Sequence, residues 1–329
     1  MTTPIPRRTF LQGLGASLAL PYLGNASAQD LLPMARITIG FAAGGMTDTM
    51  ARRLADKLTG TYAKTVLVDN RAGAGGQIAA SVVKPAPKDG SVLLITPGAV
   101  LTIFPHVYKK LPYNALTDFE AVSLTTVVDS GWAVGPAVPD NVTNVAQYLE
   151  WCRSHPLGGS FATPGAGSTS HFCGELLGRA NHVDLRHTPY RGAQPAIQDM
   201  LGGQVPAVCT AVGDFLPYLG SGKCRVLATS GPTRTKFTPQ VPTFAEQGFK
   251  DATVVEWFGA FAPAGTPPEV IARANKALVA ALAAPDYVEA MGKVGQPVVS
   301  SSAADLNKRM HEDNAFWGKV VRDTNFSIE

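Results

Sequence analysis

Short apolar segments alternate with amphipathic ones along most of the chain. Residues 36–41 read as a buried strand, and Met50, Leu54 and Leu58 then mark one apolar face of a helix. Two more strands follow before residue 97, separated by a short helix. A strand-helix-strand-helix-strand order predicts right-handed parallel crossovers and a sheet that is covered by helices on both faces.

The alternation restarts after Gly131 and continues to the end of the chain. Strands are predicted at 160–163, 186–190, 205–210, 225–230 and 254–261, and helices at 145–154, 171–181, 194–201, 268–284, 286–294 and 305–322. Asn144 is the predicted cap of the first of these helices, and Thr47 or Asp48 caps the helix after the first strand. The pattern predicts an α/β protein with two successive α/β units and extra helices at the end.

The N-terminus carries an export pattern. Arg7 and Arg8 precede an apolar run that ends near Leu23, and the small residues 26–28 form a cleavage site before Gln29. The arginine pair followed by Phe-Leu resembles a twin-arginine signal, although an ordinary secretory signal that begins with two arginines stays open. Residues 1–28 are therefore predicted to be removed, which places the mature chain in the periplasm.

Composition narrows the class of partner. A net charge of +3 is too small to indicate nucleic-acid binding. The four cysteines include no C-x-x-C pair, so zinc and thiol-exchange sites are not indicated, and their disulfide pairing stays undetermined. The six histidines lack metal-ligand spacing. The sequence therefore predicts neither a metal nor a cofactor.

Three loops share one design, in which a strand ends, small residues turn the chain and a helix begins. They are residues 42–48, 71–76 and 163–171. In an open parallel sheet, ligands bind beyond the carboxyl ends of the strands. Helix N-termini there offer unpaired N–H groups and a partial positive charge, which suit a carboxylate or a phosphate. Nucleotides are not favoured, because Ile78 stands where the dinucleotide fingerprint needs a small residue and no P-loop motif occurs.

Catalytic motifs are not found. The sequence contains neither a G-x-S-x-G elbow nor an H-E-x-x-H pair. Asp48 is interpreted as a helix cap rather than as a general base. His171 either touches a ligand or sits in the first helical turn without a role. A binding protein is therefore predicted rather than an enzyme.

The three loops carry motifs of one known family. Residues 41–48 look like its P-F-x-P-G-G-x-x-D segment, residues 70–76 match its N-R-P-G-A-G-G turn, and residues 167–171 are similar to its G-S-x-S-H loop. Further matches are Y-R-G at 190–192, L-G-G-Q-V at 201–205, and closing segments at 241–248, 257–259 and 263–267. The chain thus resembles the solute receptors of tripartite tricarboxylate transporters, the Bordetella uptake gene (Bug) family, over essentially all of its mature length.

The resemblance implies a type II periplasmic-binding fold of two lobes, each a mostly parallel sheet flanked by helices. Residues 30–130 plus 255–329 would form lobe 1 and residues 131–254 lobe 2, with the ligand in the cleft between them. The implied function is that of a monomeric receptor, which captures a small organic carboxylate and delivers it to the membrane permease subunits of a tripartite transporter. Two alternatives are a receptor that signals to a membrane kinase and an exported enzyme.

The ligand-binding residues expected from the loops and the resemblance come from both lobes. They are Phe41, Ala43, Thr47, Asp48, Gly73 and Gly75 from the first lobe, and Thr163, Ser168, Ser170, Tyr190 and Thr210 from the second. Phe41 and Tyr190 would supply apolar walls. The sequence departs from the family at Ala42 and Ala43, which replace prolines, and at Thr210, where an acidic residue is common. A carboxylate partner for the ligand is therefore expected to be missing at this position.

Overall fold

A computed structural model of the chain describes residues 31–155, 159–324 and 326–328. The predicted export signal, residues 1–28, lies outside these ranges. The described residues form nine strands: β1 (Ala35–Ile39), β2 (Val66–Asn70), β3 (Val92–Pro97), β4 (Phe119–Val134), β5 (Ser160–Thr163), β6 (Arg186–Pro189), β7 (Ala207–Ala211), β8 (Arg225–Thr229) and β9 (Val255–Pro263).

Helices separate most of these strands. The described ten are α1 (Met46–Leu58), α2 (Gln77–Val83), α3 (Ala99–Thr102), α4 (Phe104–Val107), α5 (Val145–Ser154), α6 (Thr169–Ala180), α7 (Ala193–Leu201), α8 (Pro268–Leu282), α9 (Pro285–Lys293) and α10 (Ala303–Thr324), with 3-10 segments at Ala74–Gly76, Val212–Ser221 and Lys250–Ala252. Within the described ranges, no helix has the length and apolar character needed to cross a membrane.

The strands form one mixed sheet. β1 pairs in parallel with β2 on one side and with β3 on the other. The order then runs β2-β1-β3-β9-β4-β7-β5-β6, with β8 also paired to β4. The parallel crossovers predicted for the first three strands are confirmed, and so is the α/β class.

The long strand β4 takes part in both halves of this sheet. Its residues 119–129 pair with β9, whereas residues 130–134 pair with β7 and, from Gly131 onward, with β8. The hydrophobic pattern predicts no strand at these positions and restarts only after Gly131. Nearly every residue of β4 is buried and its register shifts twice beside β9, so the alternation that normally reveals a strand is lost.

Local signals position the helices that flank the sheet. The side chain of Asn144 accepts a hydrogen bond from the backbone N–H of Gln147 and caps α5, as predicted. Met50, Leu54 and Leu58 of α1 are all buried, which confirms the predicted apolar face. This face packs over β1 and beside α8.

A second core surrounds Trp132 of β4. The indole ring contacts the rings of Tyr148, Phe161 and Phe244 at centroid distances of 5.2 to 6.4 Å. The four cysteines are all buried, and no disulfide joins any two of them: Cys152, Cys173, Cys209 and Cys224. Both ends of β4 contribute to this core through Phe119 and Trp132, whereas Val122 and Val128 belong to the cluster beside α1.

Candidate functional site

One aspartate holds the first of the three loops. The carboxylate of Asp48 accepts hydrogen bonds from the backbone N–H of Gly44 and from Nε of Arg52, both at 2.9 Å. Its other oxygen accepts a hydrogen bond from Nδ2 of Asn70 at 2.8 Å. The same amide nitrogen donates to the carbonyl oxygen of Phe41 at 3.1 Å. Asp48 therefore ties the loop to α1 and to the end of β2.

Asp48 acts inside the loop and does not cap the helix. Burial favours its neutral form, but the three hydrogen bonds outweigh burial and hold the pKa of this carboxyl below its ordinary value. The N-cap of α1 is Gly45, so the predicted cap at Thr47 or Asp48 is wrong. No side chain caps the first turn of α1. Its backbone N–H groups, with the positive end of the helix dipole, remain available to an anion.

The second loop depends on glycines where the backbone turns left-handed. Gly73 and Gly75 have φ values of 134° and 65°, and both are exposed. Gly75 lies against Phe104 at the start of α4, because a Cβ added to it would stand 3.0 Å from the ring. The segment that leads from β1 into the first loop is also close to the second loop, since a Cβ on Gly40 would lie 2.4 Å from Cα of Gly76.

The third loop begins α6 and contacts β4, the strand that takes part in both halves of the sheet. Ser168 is the N-cap, and its hydroxyl accepts from the N–H of His171 and donates to the carbonyl oxygen of Gly165. The hydroxyl of Ser170 lies 3.0 Å from that of Ser130 on β4. Gly167 lies close to Phe104, so the same ring separates the second and third loops. The structure therefore brings all three loops together.

The hydroxyl groups of two predicted ligand-binding residues, Thr163 and Tyr190, form hydrogen bonds within the protein. The hydroxyl of Thr163 donates to the carbonyl oxygen of Gly165 at 3.0 Å and lies 2.6 Å from Nε2 of His187. The hydroxyl of Tyr190 donates to Asp199 at 2.7 Å. Both hydroxyl groups are therefore engaged within the protein.

His171 is a buried structural residue. Its ring stacks on that of His187 with centroids 3.6 Å apart, and its Nδ1 accepts the N–H of Gly167 at 3.1 Å. Burial, assisted by the neighbouring His171, lowers the pKa of His187 to about 3. Of the two alternatives left by the sequence, the structure favours a place in the helical turn.

A cavity of about 450 Å³ opens beside the first loop. It is lined by Gly44, Gly45, Met46, Thr49, Val128, Gln194, Ala211, Gly213, Asp214, Leu216, Pro217, Lys293, Val294, Gly295 and Gln296. None of the predicted ligand-binding residues lines it directly. The walls are formed in part by their neighbours, since residues 44–46 lie between Ala43 and Thr47, and Ala211 follows Thr210.

Thr210 stands where the family often has an acidic residue, and Asp214, four residues further along the chain, places a carboxyl group beside it. The hydroxyl of Thr210 donates to Oδ2 of Asp214 at 2.8 Å. Burial raises the pKa of Asp214, while the bond from Thr210 acts in the opposite direction. Asp214 thus supplies a carboxyl group beside Thr210, at the wall of the cavity.

Glu256 on β9 is a second acidic residue that sequence reasoning missed. Its carboxylate accepts a hydrogen bond from the hydroxyl of Thr169 at 2.7 Å and from the N–H of Trp257 at 3.0 Å. Burial raises the pKa of Glu256 to about 7, although these bonds and one from Ala99 N–H oppose the shift. No sequence signal marks this residue, because Thr169 and Ala99, which bond to it, lie far away along the chain.

Replacing Glu256 with glutamine is expected to change how stability depends on pH. Because the folded pKa of about 7 exceeds the ordinary value of 4.5, the native protein keeps a proton that the unfolded chain has released. This contribution to the free energy of unfolding is complete below pH 4.5 and is lost as the pH rises through 7. The loss amounts to about 3 kcal/mol. Chemical denaturation of Glu256→Gln should show a smaller decrease over this range.

The control for this measurement is Glu312→Gln, which changes an exposed glutamate on α10. It should follow the wild-type pH dependence. Parallel curves for wild type and Glu256→Gln would show that Glu256 does not titrate in this range.

The metal-ligating side chains and the charge at the cavity wall bear on whether an ion could bind here. Across the parts of the chain that the structure describes, no three His, Cys, Asp or Glu side chains are grouped so that they could hold a metal ion. Lys293 at the cavity wall is paired with Glu289 at 2.7 Å, and its side chain is 73% exposed. Lys293 is thus not an unpaired cation at the cavity wall.

Three solved structures are similar to this chain over most of its length. The periplasmic binding protein BugD is 31% identical and superposes with a TM-score of 0.80 over 89% of this chain and 98% of its own. Rpa4515 of R. palustris, solved with adipate, is 28% identical with a TM-score of 0.82 over 89% of this chain and 98% of its own. MatC of Rhodopseudomonas palustris, solved with bound malate, is 29% identical with a TM-score of 0.79 over 88% and 98%.

Sequence comparison covers the same length. A UPF0065 protein of Pseudomonas sp. strain P51 is 33% identical over 321 residues, which are 96% of this chain and 94% of the relative. The family described as "Tripartite tricarboxylate transporter family receptor" matches residues 50–326. The chain therefore belongs to the receptor family of the tripartite tricarboxylate transporters, whose characterised relatives bind substrates and are not enzymes.

Proposed function

We propose that the protein is a periplasmic receptor that captures a small organic carboxylate and delivers it to a tripartite permease. Residues 30–130 plus 255–329 form one lobe and residues 131–254 the other. The ligand lies in the cleft between them. Binding stabilises the closed arrangement because the ligand contacts both lobes only when they are together.

The observation that carries this proposal is the uncapped start of α1 at the wall of the cavity. Gly44, Gly45 and Met46 line one side, and Gly45 brings no side chain to occupy the N–H groups of the first turn. The opposite side comes from residues 211–217. A carboxylate at the helix start is stabilised by N–H groups and the helix dipole.

The relatives support the ligand class. Two of the similar solved structures contain the dicarboxylates adipate and malate, and BugD is described as a periplasmic binding protein. The family description supports the transporter as the partner. The export pattern in residues 1–28 agrees with a periplasmic location.

Thermal unfolding of the mature chain with a panel of carboxylates tests the proposal. A ligand at 100 times its dissociation constant adds about 2.7 kcal/mol to the free energy of unfolding. This increment raises the unfolding temperature by several degrees for a chain of this size. We expect such a shift with at least one acid, such as adipate or malate, and none with the matching amide.

The amide is the control, since it keeps the carbon skeleton and removes the charge. Shifts with sugars, amines or nucleotides but with no acid would contradict the proposal. Equal shifts with an acid and its amide would show that the site does not recognise the carboxylate.

A further inference from the structure

The cavity has two walls of opposite character. Gly45 and Met46 line it at the start of α1, where no side chain caps the backbone N–H groups of the first turn. The other wall presents the carboxyl group of Asp214 together with apolar surface from Leu216 and Pro217. A ligand that touches both walls must satisfy a donor at one end and an acceptor at the other.

Asp214 has few partners of its own. Thr210 is its one hydrogen-bond donor among the described residues, and it approaches Oδ2 at 2.8 Å. No Lys, Arg or His of the described chain lies within ion-pair distance of Asp214. Lys293 lines the same cavity, but its ammonium group is paired with Glu289.

A partly buried carboxylate with no cation nearby is destabilising unless a further hydrogen-bond donor reaches it. In Asp214 the second oxygen, Oδ1, is the atom left to accept such a donor. The side chain is partly exposed, and the space in front of it is the cavity. A ligand group that carries N–H or O–H hydrogens would supply the missing bond.

We propose that Asp214 is a specificity-determining residue, and that the cavity takes a carboxylate whose other end carries an N–H or O–H donor, such as an amino or hydroxy acid. This inference rests on the proposed function. Thr210 is the positioning residue, because its hydroxyl fixes the orientation of the Asp214 carboxyl group. A ligand without the donor leaves Asp214 unpaired, and a site built to hydrogen-bond a substrate group rejects such analogues strongly.

The test compares matched acids that differ only in the donor. Suitable sets are succinate, malate and aspartate; adipate, 2-hydroxyadipate and 2-aminoadipate; and benzoate, 4-hydroxybenzoate and 4-aminobenzoate. Calorimetry gives the affinity of wild type, Asp214→Asn and Thr210→Val for each acid. The control, Asp251→Asn, changes an exposed aspartate that does not line the cavity. Thermal unfolding without ligand confirms that each variant is folded.

In at least one set, wild type is expected to bind a donor-bearing acid about 10- to 100-fold more tightly than the parent acid. Asp214→Asn should reduce this preference to about threefold or less, and Thr210→Val should reduce it in part. Asp251→Asn should behave as wild type. The preference itself is the readout, because a merely structural role of Thr210 would weaken all acids alike.

Three results would overturn the inference while the proposed function stands. They are equal binding of parent and donor-bearing acids by wild type, an unchanged preference in Asp214→Asn, and a loss of the same preference in Asp251→Asn. If no acid of any set binds to wild type, the proposed function itself fails, and the inference falls with it.

Discussion

Replacing Gly213 with valine is expected to weaken ligand binding about 100-fold while the protein still folds. A Cβ on Gly213 would lie 2.5 Å from the carbonyl oxygen of Val294, a backbone atom that cannot rotate away as a side chain could. Gly295 is equally close, since its own Cβ would stand 2.6 Å from Cα of Gly213, and its φ is 70°. Both glycines therefore allow two backbone segments to touch at the cavity.

The two segments belong to different lobes in the proposed arrangement. A side chain at Gly213 would hold the lobes apart, and the ligand would lose the contacts that depend on closure. A loss of about 3 kcal/mol corresponds to this change in affinity. Calorimetry measures it, and small-angle scattering should show that saturating ligand no longer makes the variant more compact.

Gly220→Val is the matched control. Gly220 lies in the same 3-10 segment, Val212–Ser221, and a Cβ there would meet no atom within 4 Å. Wild-type affinity in Gly213→Val would show that the contact is unnecessary for binding. A large loss of stability in the ligand-free variant would show instead that the contact is part of the permanent fold.

Replacing Asp48 with alanine is expected to lower both the stability and the affinity for ligand. The change leaves three donors without their acceptor, at Gly44, Arg52 and Asn70. A loss of about 3 kcal/mol in the free energy of unfolding is expected, because hydrogen bonds to charged groups are strong and all three of these bonds are partly buried. The N–H groups at the start of α1 lose their fixed direction, so affinity should fall about 30-fold or more.

The effect of Asp48→Ala should depend on pH. Because the pKa of Asp48 lies below its ordinary value, its contribution to stability is complete above that ordinary value, 3.8. The contribution is lost as the pH falls through the lowered pKa, so wild type and variant should converge in acid. Denaturant unfolding at several pH values measures this difference.

Asp56→Ala provides the control, since Asp56 is an exposed aspartate on the same helix. It should change stability by no more than about 0.5 kcal/mol. If Asp48→Ala lost stability but kept its affinity, the first loop would not belong to the binding site.

Much of the fold could be predicted from local signals. The predicted bounds of β5 and α5 match the structure residue by residue, because turn residues or the Asn144 cap delimit each element. The predicted strand at residues 36–41 lies within two residues of the observed ends of β1. The glycine-rich loops were also placed correctly at the starts of helices.

The remaining features depend on contacts between distant segments. β4 escaped prediction because both of its faces are buried, and such a run shows no alternation. Asp214 and Glu256 appear in the sequence as isolated acids within apolar stretches. Their environment comes from the fold, and only the structure shows that Asp214 restores the carboxylate missing at Thr210.

The position of β9 between β3 and β4 has a consequence for how the protein is made. During synthesis, β3 and β4 emerge long before β9, so the edge of each strand that β9 will cover stays unpaired. Unpaired strand edges are templates for aggregation, and pairing between segments far apart in the chain is slow. A nascent chain that stops before residue 255 therefore has an open sheet, and biogenesis is expected to require that this edge be shielded until β9 has been made.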